Sequence, residues 1–340
     1  NSIFFPLAEI STSICIGLLV WYGGFNNVNG ENISLGTLFL FISMSGLLFR
    51  PLRQIADRFN TLQMGMVSTE RIFRILEDDS EIKDNGKIEN TSFNGLIEFK
   101  NVKFSYVENQ IVIDDISFKI HPGETLAIVG PTGSGKSTII NLITKFYEID
   151  SGRILIDGNN IDELKLDNIR NKVGVILQDV FMFADTIFNN ITLFNKDISL
   201  EDVKKSAKDL EIHDFILSLP GGYNFNVSER GGTLSSGQKQ LLAFLRVLVN
   251  NPDILILDEA TSSIDSYSED LIKRATKKIT KDKTSIIIAH RLSTVESADK
   301  IIYMENGKIL EFGNHKELLN IDNGKFKKLY REQFIENELV

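Results

Sequence analysis

At 340 residues with 42% apolar content, the chain is long enough for one large domain or two smaller ones. Its net charge of −9, with no basic cluster to oppose the overall field, argues against a duplex-binding surface, and nucleic acid is not an expected partner. The single cysteine, Cys15, excludes an internal disulfide and a cysteine metal cluster, and reads as a small lipid-facing or packed side chain.

The chain opens at Asn1, already inside apolar sequence and without a basic leader, which reads as a truncation rather than a signal peptide. Residues 3–22 carry one charge, Glu9, over a length that can cross a hydrocarbon core of roughly 30 Å. Residues 23–34 are rich in Asn and Gly, residues 35–49 are again uncharged, and Arg50, Arg53 and Arg58 follow. This pattern predicts an all-α transmembrane hairpin with its loop outside and its arginines in the cytoplasm, hence a multi-pass protein of the cell membrane. The competing reading is a buried hairpin of a soluble protein. The second helix is expected to pass Pro51 and continue to about residue 66, because Ile55, Phe59, Leu62 and Met66 keep a helical spacing. Glu9 is either a substrate or proton site within the span or an interfacial residue near its inner end.

Residues 77–95 are polar and punctuated by Asn85-Gly86, which predicts a linker between a membrane part, residues 1–76, and a cytoplasmic domain, residues 96–340. Within that domain strands are expected at 96–106, 111–120, 125–129, 254–257 and 285–288, the last two short, continuous and mostly apolar as strands buried on both faces should be. A helix is expected over 200–219, opened by Ser199 with Asp202 in capping-box position. The result is an α/β domain with a parallel-sheet core, antiparallel strands at its start and a helical insertion.

Gly130-Pro131-Thr132-Gly133-Ser134-Gly135-Lys136-Ser137 fits the phosphate-loop pattern G-x-x-x-x-G-K-[ST], between an expected strand and the helical run that begins at Thr138. Its glycines let backbone N–H groups wrap phosphates, Lys136 reaches the β and γ oxygens, and Ser137 offers an oxygen to Mg²⁺. Asp258 and Glu259 end a buried strand at the edge where such sheets bind ligands. Alternation then aims Asp258 at the metal and Glu259 at the attacking water, as general base. Leu234-Ser235-Ser236-Gly237-Gln238 precedes another apolar helical run, so Ser235 and Gly237 sit at a helix N-terminus suited to an anion. None of the histidines has metal-ligand spacing.

From about Leu96 to its end the chain resembles the nucleotide-binding domain of an ATP-binding cassette (ABC) protein, with ATP and Mg²⁺ as the implied cofactors. The resemblance implies a head-to-tail pair of such domains, each ATP held between the phosphate loop of one and the 234–238 signature peptide of the other. It assigns Tyr106 to stacking on adenine, Gln178 to linking Mg²⁺ with the membrane domain, His290 to the γ-phosphate, and Asp265 to a loop that communicates across the pair. Ser235, Gly237 and Gln238 then contact the partner's nucleotide.

With the apolar hairpin, Arg50-Pro51-Leu52, Glu70-Arg71-Ile72-Phe73 and Ser228-Glu229-Arg230-Gly231 resemble exporters that fuse six membrane helices to one such domain, the last two helices being present here. The implied function is ATP-driven export of a lipophilic drug, lipid or peptide, with membrane lipid around the helices. Ser236 stands where the family's signature has a glycine, a departure that favours a second, non-identical exporter half as partner over a homodimer. The alternatives are a soluble cassette ATPase acting on ribosomes or DNA, and a truncated remnant that binds ATP without transporting.

Overall fold

The computed structural model describes residues 4–28, 34–78, 82, 84–89, 92–258, 266–289 and 292–332. The chain divides into two compact units, residues 1–81 and 82–340.

In the first unit the apolar runs form two helices, α1 (Phe4–Val28) and α2 (Leu35–Leu76). Ser34 starts α2, its Oγ accepting the Thr37 N–H at 3.1 Å and satisfying a donor that a helix leaves unpaired. The helices pack where Gly23 is buried, since a Cβ there would lie 1.9 Å from Leu38 Cδ1. Cys15 belongs to the same seam, with Sγ 3.8 Å from Ser45 Oγ, which decides for the packed reading of that residue. α2 passes Pro51 and runs to Leu76, beyond the expected end at Met66, because no Gly or Pro interrupts residues 67–76. Among the described residues no helix is long and apolar enough to cross a membrane. The apolar runs thus form two packed helices, as the hairpin reading expected, but without the membrane-crossing length and apolarity it also expected.

In the second unit, strands form where β-branched and aromatic residues run between turn residues. In chain order they are β1 (Ile97–Val107), β2 (Gln110–Ile120), β3 (Thr125–Val129), β4 (Ser151–Ile156), β5 (Asn159–Asn160), β6 (Val173–Ile176), β7 (Ile254–Asp258), β8 (Thr284–Ile288), β9 (Lys300–Glu305) and β10 (Lys308–Gly313). One sheet is antiparallel in the order β2-β1-β4-β5. The other runs β10-β9-β3-β8-β7-β6, parallel except at its β10 edge. α3 (Lys136–Ile143) follows β3 directly and α4 (Leu166–Lys172) precedes β6. Between β6 and β7 lie α5 (Ile187–Thr192), α6 (Leu200–Asp209), α7 (His213–Ser218) and α8 (Ser236–Asn250). This α/β architecture, parallel core with a helical insertion, agrees with the sequence reading.

Two local expectations change. Ser199 and Asp202 do form the capping box of α6, but the helix expected over 200–219 breaks into α6 and α7 at Glu211, whose φ is 61°. The turn buries Leu210 and Ile212 together, which an unbroken helix would point in different directions. The stretch expected to be a linker is partly fastened down: Ile88 bridges to Leu164, and Phe93 is buried with its N–H on Asp253 Oδ2 at 2.8 Å. Two apolar side chains among polar residues are enough to dock it.

Candidate functional site

The parallel strands β3, β7 and β8 end at one edge of their sheet, and the turns leaving that edge collect the polar residues singled out by sequence. A cleft of about 510 Å³ opens there, lined by Tyr106, Val112, Thr132, Gly133, Gly135, Lys136, Ser137, Thr138, Gln178, Asp258 and Ile288. Strands, a loop and a helix far apart in sequence therefore deliver side chains to one place.

The phosphate loop takes its shape from backbone that other residues resist. Gly130, Gly133 and Gly135 have φ of 147°, 79° and 101°, and a Cβ on Gly135 would lie 2.7 Å from Ile113 Cδ1. Ser134 is buried beneath the loop, its carbonyl accepting the Gly307 N–H at 3.2 Å. Gly307 in turn accepts the Asp114 N–H at 2.9 Å, so one turn ties the loop to the antiparallel sheet.

Lys136, the first residue of α3, is 8% exposed and donates from Nζ to the carbonyls of Gly130 at 2.9 Å and Pro131 at 2.8 Å. Burial pushes its ammonium below the usual lysine range, and the Asp258 carboxylate opposes that shift. The cation is thus held at the N-terminus of α3, where the helix dipole also favours an anion.

Ser137 Oγ donates to Asp258 Oδ2 at 3.5 Å, and Gln178 lines the same cleft. A hydroxyl, a carboxylate and an amide are all oxygen donors, a set that fits a hard divalent cation completed by phosphate and water.

Tyr106, also lining the cleft, is 44% exposed, with its hydroxyl donating to Thr138 Oγ1 at 3.3 Å and accepting from Asn141 Nδ2 at 3.0 Å. Phe104 and Tyr147 meet its ring edge-on at 4.8 and 4.9 Å. These contacts leave an aromatic surface fixed in place. Sequence reasoning missed Asn141 and Tyr147. The signal for Asn141 is its position three residues after Thr138 on one helix, which puts both on one face; Tyr147 had none.

The signature peptide is not part of this cleft. Ser235 caps α8, accepting the Gln238 N–H on Oγ at 3.2 Å, while Gln238 Oε1 accepts the Ser235 N–H at 3.0 Å. Gly237 is buried in the first turn, and Ser235 and Ser236 are exposed. Glu259, Asp265 and His290 lie outside the described residues.

Comparison with known proteins agrees with this geometry. The ABC transporter family profile matches residues 113–262. An ABC transporter ATP-binding protein of Bacillus subtilis, YknV, is 42% identical over 98% of this chain and 55% of its own length. An ATP-dependent lipid A-core flippase of Haemophilus influenzae is 41% identical over 98% of this chain and 57% of its own. The solved structure of a bacterial Atm1-family ABC exporter with ATP bound superposes with a TM-score of 0.72 at 34% identity, over 96% of this chain and 56% of that one. The chain spans about half the length of the curated relatives it matches. On its phosphate loop, its sheet order and its likeness to these proteins over nearly all its residues, this chain belongs to the ABC transporter family and carries that family's ATP-binding domain.

Proposed function

We propose that the chain is the ATP-hydrolysing half of an ABC-type exporter, in which ATP binding and hydrolysis between two head-to-tail domains drive export. The observation that carries this reading is the cleft that gathers Tyr106, the phosphate loop, Gln178 and Asp258. In it Tyr106 stacks on the adenine, and Lys136 exchanges its loop carbonyls for β and γ phosphate oxygens. Ser137, Asp258 and Gln178 would hold Mg²⁺, which when bound neutralises charge on the phosphates. Glu259 takes the proton of the attacking water and His290 donates to the γ-phosphate. Catalysis in such a site is positioning plus electrostatics. Ser235, Gly237 and Gln238, lying outside this chain's own cleft, contact the nucleotide of a partner domain, and Asp265 communicates across the pair. The departure at Ser236 supports a non-identical partner.

The membrane reading rests on α1 and α2. Along them Ile14, Leu18, Trp21, Phe39, Leu47 and Leu48 are all more than half exposed, an apolar surface that water does not favour. We assign these helices to a membrane domain, with the ATP-binding domain on the cytoplasmic side, and take a lipid, a lipophilic drug or a peptide as the transported class. A soluble ATPase acting on ribosomes or DNA has no use for that surface. The test is Lys136→Ala: ATP affinity is expected to fall at least tenfold, about 1.4 kcal/mol, measured by equilibrium binding of a fluorescent ATP analogue. Unchanged affinity would remove the proposed site.

A further inference from the structure

The segment after Gln178 leaves β6 as irregular chain and presents two exposed rings, Phe181 and Phe183, edge to face at 5.1 Å. Irregular chain of this kind is ordinarily mobile unless something fastens it. Here Met182 is buried, Val227 donates its N–H to the Asp185 carbonyl at 2.8 Å, and one buried polar side chain adds several further bonds. Asn190, 1% exposed in α5, accepts the Phe183 N–H on Oδ1 at 2.8 Å. Its Nδ2 donates to the carbonyls of Phe183 at 3.0 Å, Thr186 at 3.0 Å and Asp185 at 3.3 Å.

Arg246 completes the arrangement. Its Nε donates to the Asn190 carbonyl at 2.9 Å, and its Nη2 donates to the Phe181 carbonyl at 3.2 Å and lies 3.6 Å from Met182 Sδ. Arg246 stands on α8, the helix that begins in the signature peptide. No ion pair among the described residues involves it, so what faces this half-buried guanidinium is a set of backbone carbonyls. Burial disfavours its charge, and the two-pronged geometry of the guanidinium offsets that cost in a way one ammonium cannot.

We propose that Arg246 and Asn190 are positioning residues that lock the loop after Gln178 to the signature helix, so that Gln178 and residues 235–238 move as one piece. Gln178 lines this chain's own nucleotide cleft, whereas residues 235–238 sit apart from it. A rigid link between them lets the state of one nucleotide bias the placement of the peptide that meets the other. Apart from Met182 Sδ, the loop meets Asn190 and Arg246 through backbone groups, so the link reports loop position more than side-chain identity. This proposal rests on the head-to-tail reading of the proposed function.

The experiment compares the chain with Arg246→Met, Arg246→Lys and Lys136→Ala, measuring ATP affinity, turnover at saturating ATP, KM and thermal unfolding. R246M is expected to bind ATP within twofold of the unchanged chain and to unfold cooperatively, with turnover at least tenfold lower and KM little altered. R246K, which keeps one prong, is expected to recover part of the turnover. Wild-type turnover in R246M would overturn the proposal. So would a parallel fall of affinity, turnover and unfolding midpoint in both Arg246 variants, the mark of a merely structural role. If R246M does not fold, the same comparison is made with R246K alone, where a drop in turnover at unchanged affinity supports the link and wild-type turnover overturns it. Turnover that survives in K136A sinks the parent reading; turnover lost in K136A but kept in R246M sinks the link alone.

Discussion

Tyr106 illustrates how much a single residue depends on neighbours that the sequence does not announce. Its hydroxyl is tied to Thr138 and Asn141 and its ring is braced by Phe104 and Tyr147, so its exposed face is presented at low entropic cost. Tyr106→Ala is expected to weaken ATP binding by about 1 kcal/mol, roughly fivefold, while Tyr106→Phe keeps most of the affinity because the stacking face survives. Isothermal titration of both variants checks this; equal losses would assign the effect to the hydroxyl. Lys136 shows the opposite economy: it is buried against its charge's preference, and the carbonyls of Gly130 and Pro131 hold it where phosphates would be met.

At the level of elements, sequence was most informative where one period dominated. The short apolar runs within β7 and β8 are buried on both faces, and the phosphate loop sits between strand and helix as its pattern requires. The capping box at Ser199 was equally legible, since it is a purely local signal. Ser199→Ala is expected to cost about 1 kcal/mol of stability without changing ATP affinity, as read by urea unfolding and nucleotide binding on the same sample. The break at Glu211 was not legible. The residue has no special propensity for a positive φ, and what bends the chain is burial of Leu210 and Ile212, which is decided by tertiary packing. The docking of Ile88 and Phe93 escaped for the same reason: a polar stretch with two apolar residues reads as a linker until the surface that receives them is known. Of the residues lining the cleft, those with a fixed local pattern were legible in the sequence, whereas Asn141 and Tyr147, which contact Tyr106, and Arg246, which bonds the loop after Gln178, were not.

For the whole molecule, a net charge of −9 repels an anionic nucleotide at long range, yet screening limits that field to about 8 Å at physiological ionic strength. Under the proposed function, recognition therefore falls to what lies within the cleft: Lys136, the start of α3, and the oxygen donors Ser137, Gln178 and Asp258. The apolar content divides in the same spirit. Among the described residues, every side chain of the buried apolar core lies at Phe93 or beyond, whereas α1 and α2 carry theirs largely exposed. One unit thus encloses its apolar side chains beneath the cleft's sheet, and the other leaves its own exposed, as the proposed membrane role requires. The central claim, that this chain's own cleft hydrolyses ATP, is tested most directly by Glu259→Gln with single-site turnover and ATP binding measured together. The expected result is ATP binding within about twofold of the unchanged chain and hydrolysis reduced by at least 100-fold, the order of loss when a general base is removed; undiminished hydrolysis at this site would contradict it.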